Sequence, residues 1–191
     1  MKARENPFKA DRVIATIRFT CPDGDLDTLI ARLAALGYRA AIVGPQGAGK
    51  TTLLEDLGRA LEHRGFQIMS MRLCTDDRRL PDAWSARAAR LGPRDIVCLD
   101  GAEQLPAIRW LWFRWRARRA AGLIITSHAR GRLPLLIECT TSVDLLEEIV
   151  CRLSPPPADG APSASDLFRR HRGNLRDAVR ELYDFHAAAH R

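Results

Sequence analysis

Apolar positions along this chain switch repeatedly between alternation and helical spacing, and that succession predicts its elements. Val13, Ala15, Ile17 and Phe19 alternate with polar residues and predict a strand. Leu26, Leu29, Ile30, Leu33 and Leu36 then recur at helical spacing, predicting a helix from about Asp25 that Gly37 closes. A short apolar strand over residues 40–43 leads into a second amphipathic helix that runs to about His63. Strands follow over residues 66–73, 95–100, 123–126 and 135–139. Between them lie a short helix, capped by Asp82 and stopped by Gly92 and Pro93, and a longer one over residues 106–121. Strands that alternate with helices predict an α/β fold, a parallel sheet covered on both faces in three layers.

The pattern then turns wholly helical. A helix over residues 142–153 leads into the Pro/Ala/Ser-rich stretch SPPPADGAPSAS, and two helices close the chain over residues 165–172 and 174–190. This divides the chain into an α/β core, residues 1–140, and a small helical lid, residues 141–191. No internal repeat is present.

Between the strand at 40–43 and its helix stands GPQGAGKT, residues 44–51, the G-x-x-x-x-G-K-[ST] pattern of a phosphate-binding loop. Gly44, Gly47 and Gly49 allow backbone angles that a Cβ forbids and let the main chain approach an anion. The N–H groups from Gly47 through Ala48, Gly49, Lys50 and Thr51 to Thr52 form an anion nest at the positive end of a helix. Lys50 brings a point charge to the β- and γ-phosphates, and the Thr51 hydroxyl suits a Mg²⁺ that bridges them. Fifty residues after Lys50, the run Ile96, Val97, Cys98, Leu99, Asp100 puts a carboxylate at the end of an apolar strand, where it can orient that Mg²⁺.

Charge adds a second candidate surface. The net charge is +7, and seven arginines without an acid lie between Glu103 and Glu138: Arg109, Arg114, Arg116, Arg118, Arg119, Arg130 and Arg132. Three of the four tryptophans share the helix at 106–121. On a helical wheel Ile108, Leu111, Trp112 and Trp115 form the face expected to pack on the sheet, with Trp110, Phe113, Ala117 and Ala120 pointing elsewhere. Arg109 and Arg116 flank one side, Arg114 and Arg118 the other. Either these arginines cover apolar surface with their stems, or they meet nucleic-acid phosphates, an acidic partner or a subunit. Five cysteines, odd in number and never in C-x-x-C spacing, read as reduced core residues. The first residues, MKARENPFKADR, hold no signal-like apolar run, and no stretch approaches the roughly 18 apolar residues of a membrane span, so a cytoplasmic protein without a membrane partner is expected.

On the phosphate loop, the strand ending in Asp100 and the order of elements, the chain resembles the AAA+ group of P-loop ATPases (the ASCE division), and within it compact bacterial members related to transposition and secretion ATPases. The resemblance implies that Thr126, with Ser127 and His128 behind it, senses the γ-phosphate, and that RGNLRDAV, with Gly173, Asn174 and Arg176, is the lid element carrying a nucleotide-directed arginine. It implies ATP and Mg²⁺ as ligands, and in a homo-oligomer either Arg130 or Arg132 could serve a neighbouring subunit as an arginine finger. The plain alternatives are a strand end for Thr126 and Ser127, a helix junction for Gly173 and Asn174, and solvated surface for Arg176. In one respect the chain departs from the family. The carboxylate that polarises water usually follows the metal-associated Asp directly, and here Gly101 stands there; Glu103 is the next acid.

These readings converge on a Mg²⁺-dependent ATPase that controls a protein or DNA partner. Two alternatives remain open: a phosphotransferase whose acceptor meets Asp76, Asp77, Arg78 and Arg79, and a nucleotide switch with little hydrolysis, which Gly101 favours. Pro7, Phe8 and Val13 are the candidates for an adenine pocket.

Overall fold

The computed structural model describes residues 25–74, 80, 84–153 and 161–189. The strand expected over residues 13–19, the candidate adenine-pocket residues Pro7, Phe8 and Val13, the cluster Asp76, Asp77, Arg78, Arg79, and the cap Asp82 lie outside them. The chain forms two compact units. The described part of the first is residues 25–44 and 50–138, and that of the second is residues 45–49, 139–153 and 161–189.

In the first unit the elements follow the predicted alternation: α1 (Leu26–Ala35), β1 (Arg39–Val43), α2 (Lys50–Glu62), β2 (Gln67–Arg72), α3 (Trp84–Ala89), β3 (Asp95–Asp100), α4 (Ala107–Arg116), β4 (Gly122–Ser127) and β5 (Leu135–Glu138). Asp25 caps α1, accepting a 2.8 Å hydrogen bond from Thr28 N. Gly37, at φ +63°, ends it: its N–H donates to Ala34 O and that of Tyr38 to Leu33 O, which satisfies carbonyls that a helix end leaves open.

Among the described residues five strands form one parallel sheet, in the order β2-β3-β4-β1-β5. Leu123 and Ile125 of β4 and Val97 and Leu99 of β3 share a buried cluster with Trp84, Trp110, Phe113 and Ala117, so α3 and α4 cover that face. Residues that alternate with these, Ile42, Ile96 and Ile124, point to the opposite face and are fully buried. There α2 packs along β1 to β4 and α1 meets β5. These are the expected three layers of the α/β fold.

Two sequence expectations are corrected here. The face of α4 assigned to the sheet is the outer one: Ile108, Leu111, Trp112 and Trp115 are exposed, whereas Trp110, Phe113, Ala117 and Ala120 are buried. Periodicity identified two apolar faces, and the sheet takes the one whose small alanines allow close approach. Of the cysteines, Cys98 and Cys139 are core residues, but Cys74 and Cys151 are exposed. Burial pushes the Cys98 thiol up to about 12, which leaves it protonated.

The described residues of the second unit form three helices, α5 (Val143–Leu153), α6 (Ala164–Arg170) and α7 (Leu175–Ala189). Leu146, Ile149, Leu153, Leu167, Ala178 and Leu182 build its core. Ser163 caps α6 by accepting from Asp166 N. Among the described residues no helix is long and apolar enough to cross a membrane.

Candidate phosphate-binding site

Parallel strands end together, so the β2-β3-β4-β1 order fixes which side chains meet at the carboxyl edge. Arg72 is in register with Asp100, Leu99 with Ile125, and Ile42 with Thr126. Asp100 and Thr126 therefore emerge side by side, and Thr51 reaches them from the first turn of α2. Thr126 Oγ1 donates to Asp100 Oδ1 at 2.6 Å, and Thr51 Oγ1 donates to Asp100 Oδ2 at 2.9 Å. Arg72 Nε donates to the same Oδ2 at 2.8 Å.

Burial raises the Asp100 carboxyl, but the bonds from Thr126, Arg72 and Thr51, with the Arg72 charge, outweigh it and hold the group below its ordinary 3.8. Asp100 is thus a carboxylate at neutral pH. With the Thr51 hydroxyl it offers hard oxygen donors, a set that fits a divalent cation such as Mg²⁺.

Lys50 is buried, and its Nζ donates to Gly44 O at 2.8 Å. Gly44 N in turn donates to Ser127 O at 3.2 Å, which fixes the start of the loop to the end of β4. Within the loop Gly47 and Gly49 both take φ +79°. Gly47 has a second constraint: a Cβ there would stand 2.0 Å from Asn174 Oδ1. Ala48 is buried. Thr52 lies half-buried in the first turn of α2. Arg176 is exposed in the first turn of α7, and Asn174 rather than Arg176 stands against Gly47.

After Asp100 the chain turns sharply. Gly101 takes φ +83°, its N–H donates to Thr126 Oγ1 at 2.8 Å, and a Cβ would lie 2.5 Å from Leu73 O. No side chain fits at that position, so the acid usual in the resembled family is sterically barred. Glu103 follows in a 3₁₀ turn (Ala102–Gln104), where its Oε1 is 3.6 Å from His128 Nε2 and its Oε2 is buried without a hydrogen-bond partner.

The arginines divide. Arg132 turns inward: it donates to Leu105 O at 2.6 Å and lies 5.1 Å from the centroid of Trp110, and burial lowers its pKa. Arg130 pairs with Glu138 on the surface. Arg116 donates to Ser85 O at 2.6 Å, tying α4 to α3, while Arg109, Arg114 and Arg118 are exposed. Three contacts escaped the sequence: Arg72 on Asp100, Asn174 on Gly47 and His128 beside Glu103. Each depends on strand order or loop closure across many residues, and none carries a spacing signal.

No family model matches the chain, and no curated protein matches it. Among solved structures it is similar to AMPPCP-bound DnaA from Aquifex aeolicus, at 15% identity and a TM-score of 0.57, with 86% of this chain and 61% of that chain covered. It is similar to RuvB from Thermotoga maritima at 19% identity and a TM-score of 0.60, with 88% and 64% covered. A further structure of that protein, described as a Holliday junction branch migration motor, matches at 19% identity and a TM-score of 0.58, with 93% and 63% covered. The chain thus spans less than two thirds of the length of these structures, and the likeness at such identities is one of fold. On topology and on these neighbours, the chain has the α/β P-loop NTPase fold that these DnaA and RuvB structures share.

Proposed function

We propose that this chain is a Mg²⁺-dependent ATPase that binds ATP at residues 44–52 and uses binding or hydrolysis to control a protein or DNA partner. The observation that carries the reading is the meeting of Thr51 with Asp100, 2.9 Å apart, directly after buried Lys50. In this reading the N–H groups from Gly47 to Thr52 and the Lys50 ammonium hold the phosphates. Thr51 and Asp100 hold the Mg²⁺, which when bound supplies positive charge at the β- and γ-phosphates. Glu103 orients the attacking water and accepts its proton; its buried, unpartnered Oε2 supports that role. Thr126 couples the phosphate end of the site to Asp100. Residues 1–140 act as the nucleotide core and residues 141–191 as the lid, with Arg176 directed to nucleotide. Arg130 or Arg132 acts on a neighbouring subunit. Arg130 is the more accessible of the two. The AMPPCP bound in the DnaA structure supports a nucleotide ligand.

A second reading, a nucleotide switch with little turnover, is favoured by Gly101, which leaves hydrolysis to Glu103 alone. Equilibrium binding of a fluorescent ATP analogue, paired with phosphate release, tests both. Lys50→Ala is expected to weaken binding by about tenfold or more, the cost of one charge-assisted bond. Asp100→Asn should lower turnover far more than binding, and Glu103→Gln should abolish what turnover remains. Unchanged affinity in folded Lys50→Ala excludes the reading, and tight binding without turnover in the native chain selects the switch.

A further inference from the structure

The large hydrophobic side chains exposed among the described residues all belong to α4: Ile108 at 81%, Leu111 at 61%, Trp112 at 42% and Trp115 at 52%. Their spacing, i, i+3, i+4 and i+7, makes one continuous stripe on a helix whose opposite side is already buried against the sheet. Four such residues on one stripe of a soluble domain mark a contact surface. Arginines border it on both sides. The Arg116 guanidinium lies 5.6 Å from the Trp112 centroid and that of Arg118 lies 4.7 Å from the Trp115 centroid, so each ring is braced by a cation. Arg109 and Arg114 extend the two borders, and no acid occurs in sequence between Glu103 and Glu138.

We infer that this stripe docks an acidic amphipathic helix of a partner protein, its apolar side chains seated along Ile108, Leu111, Trp112 and Trp115 and carboxylates on both of its flanks meeting the arginines. Helix-on-helix contact uses this residue spacing, and flanking charges of opposite sign choose the partner. A second copy of the chain fits less well, because a self-complementary contact sets these arginines against one another. Nucleic acid uses the charge but not the stripe: Ile108 and Leu111 offer no stacking face, and arginines already brace Trp112 and Trp115. The inference deepens the partner half of the proposed function, and its test requires no nucleotide, so either can fail without the other.

The test titrates the full chain with a labelled synthetic peptide, an amphipathic helix with a Leu/Ile seam and Glu on both flanks, followed by anisotropy. The same peptide with Gln in place of Glu, and single- and double-stranded oligonucleotides, are the comparison probes. Saturable binding of the Glu peptide is expected, about tenfold or more weaker for the Gln peptide and weaker still with added salt. The double variant Ile108→Ser, Leu111→Ser, whose sites are exposed and whose fold is checked by circular dichroism, should lose about tenfold or more. Absence of binding, or equal binding by the double variant, overturns the proposal. So does tighter binding of an oligonucleotide that the double variant loses, which assigns the stripe to nucleic acid, or a dimer that the double variant loses, which assigns it to a second copy.

Discussion

Helices α2 and α4 both follow strands of one sheet, yet they divide their side chains differently. In α2 one leucine stripe, Leu53, Leu54, Leu57 and Leu61, is buried, and the rest of the helix is mostly polar. In α4 two apolar faces compete, and the sheet covers the one with Trp110 and Phe113, leaving the larger stripe in solvent. The difference teaches that periodicity finds faces but does not rank them. With one apolar face the assignment is forced. With two, it depends on shape: on the buried face Phe113 stacks 4.6 Å from the Trp84 ring and Ala117 joins the same cluster.

The largest expected effect breaks that asymmetry directly. Phe113→Ala removes a fully buried ring stacked on Trp84 of α3, and such truncations cost about 3–5 kcal/mol. Ile108→Ala on the outer stripe should stay within about 0.5 kcal/mol, the usual range for exposed sites. Urea unfolding of both variants checks this. Similar losses from the two would mean that the outer stripe carries packing in the chain itself.

How much of the molecule was legible follows the same division. The strand ends at Asp100 and Thr126, the α/β order and the phosphate loop were readable because each depends on local spacing and residue type. The sheet order was not, since β4 lies between β1 and β3 although it follows both in sequence. Hence Thr126 could be placed as a strand end, while its 2.6 Å bond to Asp100 and the Arg72 bond on the other oxygen could not. Gly101 read as a missing acid; the structure adds why, in the carbonyl of Leu73 that no Cβ can clear.

A smaller effect concerns the turn that leads from β3 towards α4. Gly101 leaves β3 at φ +83° with Leu73 O only 2.5 Å from where a Cβ would stand. Gly101→Ala should therefore cost about 1–3 kcal/mol through backbone strain and that clash. Gly101→Glu, which supplies the acid the resembled family carries there, should lose stability without gaining phosphate release. A rise in turnover with unchanged stability would show that the turn adapts and that the site lacks only the carboxylate.

The smallest effect separates the two regions by pH. Asp100, bound by Thr51 of α2, titrates below its ordinary 3.8 because Thr126, Arg72 and Thr51 favour its charged form against the cost of burial. A carboxyl with a depressed folded pKa adds stability that is fully present above the unfolded value and is lost as pH falls through the folded one. Acidification from neutral should thus leave this contribution intact down to about pH 4 and remove it below. Denaturant unfolding of the native chain and of Asp100→Asn, from neutral down to about pH 2, should give curves that differ in slope only in that acid window, shallower for the variant. The α4 stripe adds nothing there, since its border holds arginines and no carboxyl. Equal slopes for the two proteins would mean that the three donors hold Asp100 no better than water does.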